Sequence, residues 1–464
     1  MTSSISLDDV HILGLGGAGM SGIARILIAQ GHKVSGSDLK DSRRLTALKN
    51  LGVDVHIGHR KENVKPNKTI LASTAIKSDN IEISAAQEMG LQIYSRAQAL
   101  AAITKDFKTI AVSGTHGKTT TTSMITVMLQ GAGLDPSYVI GSELAETGAN
   151  AHLGHGKHFV VESDESDGTF LQLNPQIAVV TNVEKDHLDY WKDFDRLADA
   201  FVQFVSKVKN NSGFAVICID DEGGRLLAEK VSSKIKVITY GQKSADLKII
   251  NHEAKLPGYK FDVDYKGNKI TDFELSVPGM HNVLNACAAV VVGLELGIET
   301  QKIKNALKKF TGTRRRFEFR GSVNQVRVFD DYAHHPTEIA ATLRAARDVV
   351  GSGKLIVAFQ AHHYYRTALF NKEFGESLGL ADVAIVLEVY APGETPIPGA
   401  SGQTMASYVP LSREQVIFEP SFTQVPKHLV SFAEPNDIII TLGAGDIGML
   451  GDEILDLLKK KFGQ

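Results

Sequence analysis

The feature that most narrows the fold is the run SGTHGKTTTT at residues 113–122, which follows the apolar stretch DFKTIAVSG and precedes the helical pattern TTSMITVMLQ. Gly114 and Gly117 let backbone N–H groups turn toward a phosphate, Lys118 adds a point charge near the outer phosphates, and the Thr119 hydroxyl can ligate Mg²⁺. A following helix puts those phosphates at its N-terminus. The spacing departs from the general G-x-x-x-x-G-K-[ST] pattern, because Val112 takes the first glycine position. A bland Gly/Thr turn is the competing reading. Strand, G-K-T and helix in that order favour nucleoside triphosphate binding on a parallel sheet, since parallel strands need a crossover that is usually a helix.

The rest of the chain repeats that grammar. Residues 1–105 alternate short apolar strands (VHILGL, KVSGSD, KTILAS) with helical patterns such as 20–30. Residues 106–320 continue with HFVVESDESD and PQIAVVTNVEKDH, strands that end in acidic sequence, and residues 321–464 carry NQVRVFDDYAHHP, GKLIVAFQAHH, ADVAIVLEVY and NDIIITLGAGDIG. The expectation is α/β with three domains in series: a Rossmann-like N-terminal domain (1–105), a central P-loop ATPase-type domain with a mainly parallel sheet (106–320), and a Rossmann-like C-terminal domain (321–464). Ligands are expected at the carboxyl ends of the strands.

Several motifs sit at such ends. Gly14, Gly16 and Gly19 fit G-x-G-x-x-G, and Asp38 lies about 20 residues on, where an acidic group meets a ribose in NAD enzymes. The same amides can bind any pyrophosphate. In VVESDESDG, Glu162, Asp164, Glu165 and Asp167 crowd one strand end, and Mg²⁺ beside phosphates prefers such oxygen ligands. His187 follows the next strand, flanked by Asp186 and Asp189. In the third domain, Asp331, Tyr332, His334 and His335 follow one strand and His362, His363, Tyr364, Tyr365 and Arg366 another. No H-E-x-x-H pattern or cysteine partner makes them a zinc site, whereas arginine with aromatics suits a small carboxylate. Arg314, Arg315 and Arg316 at the domain junction can deliver a cation to a transferring phosphate. A late G-x-G-x-x-G at 443–448 reads as a turn packed closely on its helix.

Lys+Arg number 50 against Asp+Glu 53, a net charge of −3, so no broad basic field exists for nucleic acid or an anionic membrane. The two cysteines, Cys218 and Cys287, support neither a disulfide framework nor a thiolate cluster and suit a reducing cytosol. The N-terminus lacks a basic, apolar leader pattern, and no stretch reaches the roughly 18 apolar residues of a membrane span. The protein is expected to be cytoplasmic, a monomer or weak homodimer.

Taken in order, GLGGAGMSGIA, GTHGKTTTT, VESDESDGTFL, TNVEKDHLD, GMHNVLNA, TRRRFE and DDYAHHPTE resemble the Mur ligases of peptidoglycan precursor synthesis over nearly the whole chain. Within that family the resemblance implies the step that joins L-alanine to the lactyl carboxylate of UDP-N-acetylmuramate. It implies that the first loop holds the UDP-sugar through Gly14, Gly16, Gly17, Ala18, Gly19, Met20 and Ser21, with Ser37 and Asp38. It implies ATP at Gly114, Thr115, His116, Gly117, Lys118, Thr119 and Thr120, with Asn282 and Asp331 around the adenosine and Arg316 near the transferring phosphate. Two Mg²⁺ ions are implied, one on Thr119 and Glu162 and one on Glu162 and His187. Lys118, Glu162, His187 and Arg316 then form the catalytic set, and Tyr332, His362 and Arg366 line the amino-acid pocket. Two departures stand out. The family's H-R-Y-x-R becomes His362-His363-Tyr364-Tyr365-Arg366, removing one arginine. The segment DRLADAFVQFV has no lysine of the kind that sister ligases carbamylate, and its apolar spacing reads as a core helix. A ligase adding a preformed peptide, and an NAD(P)-dependent oxidoreductase, are the alternatives.

Overall fold

The structure is a computed structural model that describes residues 5–463. It contains three sheets, each built from one stretch of sequence. The first comprises β1 (Asp9–Leu13), β2 (Lys33–Asp38), β3 (Asp54–Ile57), β4 (Thr69–Ala72) and β5 (Ile93–Ser95), in the order β3-β2-β1-β4-β5, with its four adjacent pairings all parallel. The strand order reverses at β1, which places the glycine loop at the switch point where such sheets take ligands. Val10 and Ile12 of β1 are fully buried and pack with Met20, Ile23 and Leu27 of the helix Ala18–Ala29.

The second sheet has ten strands: β6 (Lys108–Ser113), β7 (Ser137–Val139), β8 (Ala151–His152), β9 (His158–Glu162), β10 (Ile177–Val180), β11 (Phe214–Cys218), β12 (Lys236–Gly241), β13 (Leu247–Lys255), β14 (Gly258–Tyr265) and β15 (Asn268–Leu275). Their order is β15-β14-β13-β12-β11-β10-β6-β9-β7-β8. Strand β6 lies parallel between β10 and β9, with Ser113 opposite Val180 and Val112 opposite Glu162. That register brings the ends of three strands to one edge. Strands β6, β9 and β10 are largely buried, mostly apolar runs, as expected for a sheet covered on both faces. The segment DRLADAFVQFV is the helix Phe194–Ser206, which buries Leu197, Ala200, Phe201, Phe204 and Val205, one face of a 3.6-residue repeat.

The third sheet comprises β16 (Glu318–Val323), β17 (Val326–Asp331), β18 (Leu355–Phe359), β19 (Val383–Val386), β20 (Val416–Phe418) and β21 (Ile438–Leu442), in the order β16-β17-β21-β18-β19-β20. Of its five adjacent pairings, only the hairpin β16–β17 is antiparallel. The expected boundary at 320/321 falls inside β16, where Gly321 marks a bulge in a continuing strand rather than a linker. The late glycine motif is a closely packed turn whose nearest neighbours lie on β17 and just past β18: a Cβ on Gly443 would lie 2.6 Å from the Gln360 carbonyl, and one on Gly448 2.6 Å from Asp330.

By contacts the chain forms two compact units: residues 1–249, 263–270 and 285–307, and residues 250–262, 271–284 and 308–464. The first two sheets thus share one unit over most of their extent, and one continuous core runs from β1 through the helix Ala18–Ala29 to Ala151, Phe159 and Val161.

Candidate functional site

The glycine loop hangs on the end of β2. Gly14 and Leu15 donate their amides to the Ser37 carbonyl at 2.9 and 3.0 Å, and Gly16 donates to Asp38 Oδ2 at 2.9 Å. Gly14 has φ +75°, a conformation glycine adopts freely. The expected UDP-sugar residues divide accordingly. Gly14, Gly16, Gly17 and Asp38 build the turn, whereas Met20 is a core residue and Ser21 is buried, because the helical repeat turns both inward. Ala18 and Ser21 instead meet Asn150 of the middle domain, whose Nδ2 donates to Ala18 O at 2.7 Å. Ser37 is fully buried, with Oγ on Glu82 and His59. Sequence reasoning missed Arg96: its guanidinium fills the space a side chain at Gly19 would need, and it pairs with Asp164 at 3.6 Å.

At the second sheet, Thr115 N bonds Asn182 O at 3.3 Å and His116 N bonds Asn182 Oδ1 at 2.8 Å, while the His116 carbonyl accepts from Thr181 Oγ1 and Asn182 Nδ2. The loop is therefore strapped to the end of β10. Gly117 (φ +78°) starts the helix Lys118–Gly131. Lys118 Nζ donates to Gly114 O at 2.7 Å, Thr115 O at 3.2 Å and Glu165 Oε1 at 2.8 Å. Burial opposes its charge, but the carboxylates of Glu165, Asp164 and Glu162 outweigh that and hold Lys118 protonated. Thr119 Oγ1 donates to Glu162 Oε1 at 3.0 Å, and the other Glu162 oxygen takes the Gly141 amide at 2.7 Å. Any side chain at Gly141 would strike that carboxylate, a constraint its sequence does not announce. His187, at φ +54°, places Nε2 at 3.4 Å from Asp186 and 3.7 Å from Glu165. A hydroxyl and a carboxylate converging beside a charged lysine form a hard oxygen donor set that fits Mg²⁺ on a phosphate.

The expected adenosine residue Asn282 lies on the helix Met280–Glu295 and donates its amide to Pro278 O at 2.7 Å, a bond that closes the helix start. One turn on, Asn285 takes the bond from Thr121 Oγ1 at 3.1 Å and lies against Gly117. The i, i+3 spacing in HNVLN was the available signal for it.

The other expected residues lie in the second unit. Strands β17 and β18 both run parallel to β21, with Asp331 and Phe359 opposite Leu442, so Tyr332 and His362 follow strands that end level at one edge. Asp331 is buried and accepts the amides of Phe317 and Ala333, each at 2.7 Å; burial lifts it to about 6 against the pull of Arg316 and those amides. Arg316 sits 5.3 Å over the Tyr332 ring and 3.6 Å from Glu338. His362 stacks on Tyr390, and burial, with the neighbouring His363 and Arg366, lowers it to about 4. Arg366 is 6% exposed. His363, in the place of the missing arginine, bonds Glu394, whose second oxygen takes the Tyr364 amide at 3.1 Å.

A three-sheet α/β chain with a phosphate loop, an acidic strand end and a separate glycine loop matches one family along most of its length: the Mur ligase family catalytic domain over residues 9–108, the Mur ligase middle domain over 112–293 and the Mur ligase glutamate ligase domain over 315–445. The chain belongs to the Mur ligase family. A UDP-N-acetylmuramate--L-alanine ligase of Acidothermus cellulolyticus is 48% identical over 459 residues, covering 98% of this chain and 96% of that one. One of Syntrophomonas wolfei is 45% identical, covering 97% of each. The crystal structure of the UDP-N-acetylmuramate-alanine ligase of Thermotoga maritima superposes with a TM-score of 0.83 at 27% identity over 98% of this chain and 99% of that one.

Proposed function

We propose that this chain is an ATP-dependent amide ligase that joins L-alanine to the lactyl carboxylate of UDP-N-acetylmuramate in peptidoglycan precursor synthesis. The observation that carries the reading is near-half identity, end to end, with ligases of that name. An amine cannot expel oxide from a carboxylate. The carboxylate oxygen therefore attacks the γ-phosphorus of ATP, releasing ADP and forming an acyl phosphate. The free amine of L-alanine then attacks the acyl carbon, and the tetrahedral intermediate collapses to the amide with loss of inorganic phosphate.

The residues divide that work. The loop 114–120 cradles the phosphates with backbone amides, and Lys118 neutralises the outer ones. To reach them, Lys118 Nζ exchanges its loop carbonyls for phosphate oxygens. Thr119, Glu162 and His187 would hold Mg²⁺, which screens charge between the two anionic reactants. Arg316 offers a cation to the transferring phosphoryl, and Asn282 and Asp331 border the adenosine. Tyr332, His362 and Arg366 receive the amino acid, where neutral His362 leaves Arg366 to grip the carboxylate. In the N-terminal sheet, the glycine loop holds the UDP-sugar diphosphate. An NAD reading leaves the G-K-T loop and its acidic neighbours without a use.

Among the described residues no helix is long and apolar enough to cross a membrane. With no broad basic field, neither membrane nor nucleic acid is a proposed partner; we place the enzyme in the cytoplasm as a monomer or weak homodimer. The test is phosphate release from ATP with Mg²⁺ and UDP-N-acetylmuramate, varying L-alanine, glycine, L-serine and an L-alanyl tripeptide. Release that requires both the UDP-sugar and L-alanine, with UDP-N-acetylmuramoyl-L-alanine seen by mass spectrometry, is expected. Turnover with the tripeptide alone would make the chain a peptide-recycling ligase and overturn the proposal.

A further inference from the structure

The helix Ile81–Glu88 carries a carboxylate that the proposed chemistry does not use. Glu82 is fully buried in the N-terminal sheet, at the first turn of that helix, where Asn80 caps it. Its Oε1 accepts from Asn63 Nδ2 at 2.5 Å and from the Arg60 amide at 3.1 Å. Its Oε2 accepts from Ser37 Oγ at 2.5 Å and lies 3.2 Å from His59 Nδ1 and 3.5 Å from His11 Nε2. Five groups from β1, β2, the loop after β3 and the turn beyond it thus converge on one carboxylate. An ion buried to this depth is costly unless every lone pair is used, and here four hydrogen-bond contacts and a second imidazole use them.

Ser37 gives this hub its functional meaning. Its hydroxyl bonds Glu82, its carbonyl takes the Gly14 and Leu15 amides, and its neighbour Asp38 takes the Gly16 amide. One residue thus ties the glycine loop to the buried carboxylate. We propose that Glu82 is a positioning residue for the UDP-sugar: through Ser37 it fixes the end of β2, and with it the direction in which loop 14–17 presents its amides. The inference rests on the reading that this loop binds the UDP-sugar. Glu82 touches no substrate. Its effect is confined to one of three substrates, because the ATP loop is tied to different strands, β6 and β10.

Glu82→Gln keeps the volume but reverses one bond. With its amide oxygen on Asn63 and Arg60, its NH₂ faces Ser37, whose hydroxyl must turn from donor to acceptor. Ser37→Ala cuts the same tether while leaving Glu82 its other partners; since Ser37 is fully buried, its loss acts through the loop. Initial rates of the full-length enzyme should show KM for UDP-N-acetylmuramate raised five- to twentyfold in each variant. The kcat and the KM values for ATP and L-alanine should stay within twofold, and the double variant should be no worse than the poorer single one. Gly16→Ala separates the two layers, because its methyl lies on the loop itself, 3.0 Å from Asp38 Oδ2. If Gly16→Ala raises the UDP-sugar KM but neither tether variant does, or if they lower only the melting temperature, the positioning role is overturned. If Gly16→Ala leaves that KM unchanged, the loop reading itself fails and the inference falls with it.

Discussion

Replacing Gly114 by alanine tests whether the phosphate loop is shaped by its strap to β10. The backbone there has φ +134°, and an added Cβ would lie 2.1 Å from Thr181 Oγ1 and 3.0 Å from both Asn182 O and Thr181 N. Ordinary contact needs more than 3.4 Å, so Thr181 must move, and its hydroxyl is one of the two donors that hold the His116 carbonyl, at 2.5 Å. A side chain in this conformation costs about 1–2 kcal/mol, and forcing an atom into a packed site about 1–3 kcal/mol more. If the loop yields instead, its amides lose their aim by a similar free energy. At about 1.4 kcal/mol per tenfold, even the lower end, about 2 kcal/mol, predicts an affinity for an ATP analogue reduced at least about 30-fold. The control is Gly133→Ala, at φ +79° with nothing within 4 Å, which bears the backbone cost without the collision. Isothermal titration with Mg²⁺ and a non-hydrolysable ATP analogue, alongside thermal melts, reads both. An unchanged affinity in Gly114→Ala, or equal losses in both variants, would refute the argument.

Glu162→Gln should lower kcat at least about 100-fold and raise the Mg²⁺ concentration needed for half-maximal rate, since it removes charge from a donor set aimed at a phosphate-bound cation; an unchanged Mg²⁺ titration would count against that assignment. His363→Arg restores the family's arginine beside Glu394 and should lower the KM for L-alanine several-fold with kcat little changed, as steady-state kinetics would show; a higher KM would mean that the pocket is built around the histidine. His158 is buried with both ring nitrogens unpartnered, and burial first, then Lys157 and Lys108, lowers it to about 4. Its folded value lies below the unfolded 6.5, so stability is full above pH 6.5 and declines as pH falls toward 4. His158→Leu should therefore stabilise the protein more at pH 5 than at pH 8, by about 2 kcal/mol in the difference; melts that shift equally at both values would exclude the mechanism.

Loops whose geometry is dictated locally were the easiest to read from sequence. Glycines at 14, 114 and 117 followed by helical periodicity announce a turn and a helix start, because the backbone conformations they adopt freely are uncommon for other residues. The apolar strands between polar ends likewise declared a parallel sheet. What sequence withheld were residues whose role depends on a partner distant along the chain: Arg96 under Gly19, Gly141 against Glu162, Asn285 behind Gly117 and Glu82 beneath Ser37. Of these only Asn285 has a local signal, the i, i+3 spacing in HNVLN; the others are defined by a partner distant along the chain. Helical phase, too, is a matter of the fold: it turns the side chains of Met20 and Ser21 inward although they adjoin the glycines.

The bond from Asn150 to Ala18, and the core that runs on beneath it, seat the glycine loop and the phosphate loop in one compact unit. In the proposed reaction one loop grips the diphosphate end of the sugar nucleotide and the other presents the phosphoryl donor to its far carboxylate. Two grips at a fixed separation make a ruler. The enzyme can then select its acceptor by span as well as by chemistry, since a sugar nucleotide lengthened or shortened between diphosphate and carboxylate would bind at one end and miss the phosphorus at the other.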